Sequence, residues 1–284
     1  EWYFEPRGYA FRSTVHDPDV GADLSFHDAL RARVANTPIL QDLVAVDAGI
    51  CPTHWQRNQF PAEFIPKLRV IHEGIDTEFF QPSNDPALAA QLRSELGLPP
   101  DCRLLTYTSR ALEPMRGFPS FLRAAALALR QRPDLQVLIV ADDSRVCYGS
   151  GRPDGLSYRE HMRRELADEA DWQRIHFLPP RNYADYLRLL QASDCHVYLT
   201  KPYVLSWSFL EVLACATPMV ASATPPVQEV VGTDDTLCSQ VDFWDPQAVA
   251  DAVLAILEAP EPARLRAARA RAHVCEHYSV GHGL

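Results

Sequence analysis

Arg110 and Arg116 flank the stretch Ala111-Leu112-Glu113-Pro114-Met115, directly ahead of an apolar, helix-forming run that begins at Phe118. A guanidinium presents a planar fork of donors that matches a phosphate, and a helix start adds free N–H groups and the positive end of a dipole. A second helix start follows near Ser206, Trp207 and Ser208. Arg110, Arg116 and the backbone near Ser206 and Trp207 could therefore grip a diphosphate. The same arginines could equally solvate a loop or cap helix carbonyls, and residue type alone leaves both open. Glu211, in Leu210-Glu211-Val212-Leu213, offers a carboxylate that can take two hydroxyl donors, or an ordinary helix-surface charge.

The elements that must position these residues can be read from periodicity. Strands are predicted over 104–108, 136–140, 175–178, 195–199 and 219–222. Helices are predicted over 118–130, 158–169, 183–192, 208–216, 249–257 and 263–277, with an Arg/Ala-rich solvated face over 264–271. Strands alternating with helices form a parallel sheet covered on both faces, and the continuous apolar run Val137-Leu138-Ile139-Val140 fits such burial. In such a sheet, ligands bind beyond the carboxyl ends of the strands. That rule selects the loops 109–117, 142–149, 179–182, 200–207 and 224–227, which contain Arg110, Arg116, Ser206 and Trp207. Earlier in the chain, strands are predicted over 43–50 and 68–72, with a turn at Glu73-Gly74-Ile75-Asp76 and a linker over 81–86.

Composition narrows the function classes. The chain of 284 residues is 47% hydrophobic and 23% charged, as globular proteins are. A net charge of −10 does not suit nucleic-acid binding, and no apolar run is long enough to span a membrane. The seven cysteines show no metal-ligand spacing and are expected to be reduced thiols, which fits the cytoplasm. His54, His72, His176 and His196 lie in or beside strands and are expected to be packed residues, not catalysts. No metal is expected: Asp142-Asp143 and Asp234-Asp235 are adjacent pairs, not an Asp-x-Asp motif.

Several motifs, in order, resemble glycosyltransferase family 4. His72-Glu73-Gly74-Ile75-Asp76 through Phe80 and Pro82 is similar to that family's linker-preceding signature. Ser109-Arg110 followed by Arg116-Gly117-Phe118 resembles its Gly-Arg…Lys-Gly diphosphate motif, with Arg for Lys and a loop one residue longer. Arg132-Pro133-Asp134 matches its second βα unit, and Ile175-His176-Phe177-Leu178-Pro179 its Val-x-Phe-Leu-Gly segment. Leu210-Glu211-Val212-Leu213-Ala214-Cys215-Ala216-Thr217-Pro218 resembles Leu-Glu-Ala-Met-Ala-Cys-Gly-x-Pro. Ser206 then falls where Gly is usual, and 224–229 where a Gly-Gly…Glu segment is usual.

The resemblance implies an α/β fold of the GT-B type with two Rossmann-like domains. Residues 1–82 would be the C-terminal remnant of the first, acceptor-side domain, truncated at its start. Residues 83–262 would form the complete donor-binding domain, and 263–284 a C-terminal helix packing back toward the first domain. The implied donor-binding set is Arg110, Arg116, Pro179, Ser206, Trp207 and Glu211, with Arg110, Arg116 and Glu211 as the catalytic candidates. Glu211 fits the second glutamate of the family's Glu-x7-Glu motif, which typically binds the ribose hydroxyls. Tyr203 stands where the first, near the transferred sugar, is usual.

The implied activity is transfer of a sugar from a nucleotide diphosphate sugar to a carbohydrate or other hydroxyl acceptor, retaining and metal-independent, with no cofactor. Peripheral membrane contact through the missing part of the first domain stays open. Two alternatives remain at this stage. A donor-binding fragment without independent activity would bind a nucleoside diphosphate without turnover. An epimerase or phosphorylase on the same fold would convert the donor without an acceptor.

Overall fold

The computed structural model describes residues 26–148 and 151–283. Residues 1–25 of the expected first-domain remnant, and Gly149 at the end of the expected 142–149 loop, lie outside the described residues. The chain begins with α1 (Phe26–Ala45), β1 (Gly49–Cys51), α2 (His54–Arg57) and β2 (Leu68–Val70). The alternating series follows: α3 (Leu88–Glu95), β3 (Arg103–Ala111), α4 (Phe118–Gln131), β4 (Leu135–Asp142), α5 (Tyr158–Glu165), β5 (Ile175–Leu178), α6 (Tyr183–Ala192), β6 (Cys195–Tyr198), α7 (Trp207–Ala214), β7 (Met219–Ser222), α8 (Pro225–Val231), β8 (Ser239–Val241), α9 (Pro246–Glu258), α10 (Pro260–His277) and α11 (Val280–Gly283).

β3 to β8 form one six-stranded parallel sheet in the order β5-β4-β3-β6-β7-β8. The order reverses between β3 and β6, where a crevice opens at the carboxyl ends. β3 and β4 pair in register from Arg103↔Leu135 to Thr108↔Val140, and the register then shifts before Ala111↔Asp142. That irregularity falls at Ser109 and exposed Arg110, which line the crevice. The helices seal both faces. Leu105, Val137 and Val197 pack with Phe121 and Leu129 of α4 and Val253 of α9, while Leu210, Val212 and Leu213 of α7 pack with Val227 of α8 and Val274 of α10. Among the described residues no helix is long and apolar enough to cross a membrane. All seven cysteines are free thiols.

Several predicted elements are corrected. Residues 43–45 belong to α1, and the strand expected over 43–50 shrinks to β1. Leu43 is buried against Cys51, Phe60 and Leu68 with Ile39 and Leu40 beside it, whereas Val44 is 70% exposed: the helical period, not the apolar run, decides. The second early strand ends at Val70, α5 ends at Glu165, and the last long helix begins at Pro260. Pro225 and Pro226 do not mark a loop. They open α8 behind Thr224, where a missing N–H costs no hydrogen bond. The Arg/Ala-rich stretch is only partly solvated: Ala267 and Ala270 are buried, and Arg271 donates to the carbonyls of Phe80, Ala214 and Thr77.

The early segment is tied to the six-stranded unit at several points. Glu229 of α8 accepts from the His54 and Trp55 amides at 2.6 and 2.7 Å. Ile75 bridges to Ser279, and the Trp207 indole donates to Glu73 at 2.6 Å.

The turn that delivers Arg116 depends on Gly117. Its φ of 69° lies in the left-handed region, and a Cβ there would run into Leu199 and Phe243. Gly117→Ala is therefore expected to cost about 1–3 kcal/mol of folding stability. Urea unfolding checks this, and an unchanged midpoint would remove Gly117 from the set of obligatory positions.

Candidate functional site

A cavity of about 330 Å³ opens at the carboxyl ends of β3, β4 and β6. Arg110, Arg116, Arg145 and Arg181 reach it, with Tyr148, Tyr186, Ser206, Ser208 and Glu211. The structure thus brings together Arg110, Arg116, Ser206 and Glu211 from distant parts of the chain. Arg145 and Arg181 escaped the sequence reading, although they lie in loops at strand carboxyl ends that it had selected. Arg145 pairs with Asp142 at 2.9 Å.

Arg116 is the best-held of the four. It ends a 3-10 turn, Pro114–Arg116, whose last carbonyl accepts from the Tyr107 hydroxyl at 2.8 Å. Its side chain is only 8% exposed. Nη1 donates to Thr200 Oγ1 at 2.8 Å and to the Val204 carbonyl at 3.0 Å. The guanidinium carbon lies 5.4 Å from the centre of the Tyr148 ring and 5.8 Å from that of Tyr203. No carboxylate among the described residues pairs with it. Glu113, whose charge reaches it through space, instead accepts from the Cys147 and Tyr148 amides at 2.7 and 2.8 Å. A buried cation with no carboxylate paired to it is costly unless an anion arrives.

Ser206 precedes α7, but its amide is already engaged, donating to the Tyr198 hydroxyl at 3.0 Å. The amides left at this helix start are those of Trp207 and Ser208, one position further on than expected. Two predicted donor residues are not at the cavity. The Trp207 side chain is 50% exposed, points to Glu73 and does not line the pocket. Pro179 is exposed outside it, and Pro180 and Arg181 take its place.

Glu211 is no helix-surface charge: it is 6% exposed and faces the cavity. Burial pushes its carboxyl up to about 7, with the nearby Tyr186 hydroxyl pulling slightly the other way. The Tyr186 hydroxyl stands close enough to Glu211 to favour its charged form as a donor, yet neither it nor the buried Thr108 hydroxyl makes a hydrogen bond of regular geometry. A buried carboxylate that lines the cavity with no regular hydrogen bond to hold it suits a ligand that brings hydroxyls. Of the four histidines expected to be packed, His196 is fully buried, His72 and His176 are half-buried, and His54, the first residue of the short α2, is exposed. His196, pushed down to about 3 by burial, shares a hydrogen bond with Thr106 at 2.9 Å, and His176 pairs with Gln136 at 2.8 Å. His72 accepts from the Gly74 amide at 2.9 Å, and His54 meets Glu229 through its backbone.

Residues 89–273 match the family model described as glycosyl transferases group 1. The chain belongs to this glycosyl transferase family. Residues 1–80 match a second model, glycosyl transferase family 4 group. The D-inositol 3-phosphate glycosyltransferase of Mycolicibacterium paratuberculosis is 31% identical over 221 residues, covering 76% of this chain and 45% of that protein. Its counterpart in Mycobacterium tuberculosis is 32% identical over 185 residues, 63% of this chain and 34% of that one. This glycosyl transferase chain therefore spans about half, or less, of the length of these relatives. Among solved structures, Anabaena Alr3699/HepE in complex with UDP-glucose superposes with a TM-score of 0.72 at 19% identity, covering 91% of this chain and 65% of that one. Sucrose-phosphate synthase from Thermosynechococcus elongatus gives 0.66 at 22% identity, covering 86% and 58%. The α/β fold is of the GT-B type, with the six-stranded unit as a Rossmann-like domain.

The raised Glu211 carboxyl sets a sign for stability in this glycosyl transferase. Its folded pKa lies above the unfolded one, so ionising it works against folding, and the ligand-free chain loses stability as pH rises from about 4.5 through about 7. Glu211→Gln is expected to be more stable than the parent at pH 8, by about 3 kcal/mol at most, and nearly equal at pH 4.5. Urea unfolding at both pH values checks this. Equal stability at pH 8 would place the Glu211 carboxyl in a solvated, unperturbed setting.

Proposed function

We propose that the cavity binds the diphosphate and ribose of a nucleotide diphosphate sugar, and that the chain transfers the sugar to an acceptor hydroxyl. The observation that carries this reading is Arg116, a buried cation with no paired carboxylate in a cavity that Ser206 and Ser208 at the start of α7 also line. The bond from the anomeric carbon to the diphosphate oxygen breaks, and the acceptor oxygen bonds to that carbon. The acceptor proton leaves with the departing diphosphate. Arg116, the helix-start amides and rim residue Arg110 meet the charge that grows on the leaving oxygens. Glu211, ionised, accepts the ribose hydroxyls.

In this reading the arginines carry the leaving-group charge without a metal ion or cofactor, the configuration at the anomeric carbon is retained, and the reaction takes place in the cytoplasm. Residues 83–262 hold the donor, 1–82 belong to the acceptor side, and 263–284 form a helix that packs back toward that side. Family membership supports the reaction class. The names of the relatives support a phosphorylated polyol as one kind of acceptor, and the UDP-glucose complex supports a glycosyl nucleotide donor.

Burial separates the two arginines. Arg116→Ala should weaken nucleoside diphosphate binding by about 1.5–3 kcal/mol, the range for hydrogen bonds to charged groups. Exposed Arg110→Ala should cost at most about 1 kcal/mol. Calorimetric titration with UDP, GDP and ADP, each beside its nucleoside, checks this. Parent-like diphosphate affinity in Arg116→Ala would end the donor-site reading.

A further inference from the structure

Arg116 and Tyr203 are two of the places where the site's residue types depart from the pattern its motifs resemble, and the structure puts them in contact. The Tyr148 and Tyr203 rings meet edge to face with centres 5.2 Å apart and an interplanar angle of 62°. The Arg116 guanidinium lies within 6 Å of both centres, the range in which a ring's quadrupole attracts a cation. Tyr203 is 8% exposed and packs with Met115, one residue before Arg116. Tyr148 is held by Glu113, a fully buried carboxylate whose Oε2 takes the Cys147 and Tyr148 amides together. Glu113 and Arg116 stand at opposite ends of one short turn, so the same turn delivers the cation and anchors the loop that covers it.

We propose that Tyr148 and Tyr203 are positioning residues that cage Arg116, fixing its guanidinium for the donor diphosphate without pairing it with a carboxylate. This rests on the donor-site reading above. An aromatic wall does what a carboxylate at 203 would not. It holds a planar cation through its faces without neutralising it, whereas a glutamate at that distance would pair with Arg116 and compete with phosphate. Arginine fits the cage better than lysine, because its flat group stacks on rings and keeps one edge for ligand. Nη1 is already fixed by Thr200 and Val204, so ring contacts and hydrogen bonds together leave little rotational freedom.

The test is a set of double-mutant cycles read by calorimetric titration of the chain with UDP, GDP and ADP and with the matching nucleosides. Tyr148→Leu and Tyr203→Leu should each weaken diphosphate binding roughly two- to tenfold, leave nucleoside binding unchanged, and have no further effect in an Arg116→Ala background. Tyr148→Phe and Tyr203→Phe keep the ring faces and the packing and should bind within about twofold of the parent. Tyr203→Glu should lose more diphosphate affinity than Tyr203→Leu. The cage is overturned if the Leu variants lose equally with and without Arg116, if they lose nothing, or if the Phe variants lose as much as the Leu variants. A Leu variant that does not fold shifts the decision to the Phe and Glu variants, which bear on the same contact. If Arg116→Ala alone leaves diphosphate affinity unchanged, the donor-site reading fails and the cage with it. If Arg116→Ala weakens binding but the cycles show no coupling, only the cage fails.

Discussion

A guanidinium that is 8% exposed and faces a cavity without a paired carboxylate sets the terms for the rest of the site. Taking that charge out of water is unfavourable, and the surroundings offset the cost only partly: two hydroxyls, a carbonyl and two aromatic rings. The turn that holds it is fixed by the Tyr107 hydroxyl below and by Gly117 behind, where only a hydrogen fits against Leu199. Glu113, at the other end of the same turn, forms no ion pair with Arg116: its Oε2 takes two loop amides and anchors the Tyr148 side of the cavity. Positive charge is thus stored at the strand ends, and a diphosphate supplies what the protein withholds.

The fold explains why the charge can be held there. Parallel strands buried on both faces bring β3 and β6 side by side, and their carboxyl ends open a crevice that neither strand's following helix fills. α7 starts at that crevice and places Glu211 one helical turn inside it. The same helix start is latched outward, through the Trp207 indole, to Glu73 of the early segment. Glu229 and Arg271 add further ties between that segment and the six-stranded unit. The residues nearest the proposed phosphates are therefore mechanically joined to the segment that would carry the acceptor.

The central strands and the α4, α6, α7 and α9 helices were legible because double-sided burial and amphipathic period write themselves into apolar spacing. β8, Ser239-Gln240-Val241, was not, since an edge strand needs no apolar run. α8 hid behind two prolines, and the end of α1 looked like a strand because three apolar residues sit in sequence at its close. Arg110, Arg116 and Glu211 were found from loop position, helix starts and the family resemblance. Tyr148, Glu113 and Tyr186 were not, because nothing in sequence spacing shows which loop side chains turn inward. The Ser206 amide and the Trp207 side chain were misplaced for the same reason: backbone near a helix start is predictable, but its local partners, Tyr198 and Glu73, come from elsewhere in the chain.

The most direct measurement is a crystal structure of the chain with a bound nucleoside diphosphate. The account predicts the terminal phosphate within hydrogen-bonding distance of Arg116 and of the Trp207 or Ser208 amide, the ribose hydroxyls on Glu211, and the Arg116 guanidinium still against the Tyr148 and Tyr203 rings. Phosphates bound away from Arg116, or an Arg116 that swings out of its aromatic setting to meet them, would contradict it.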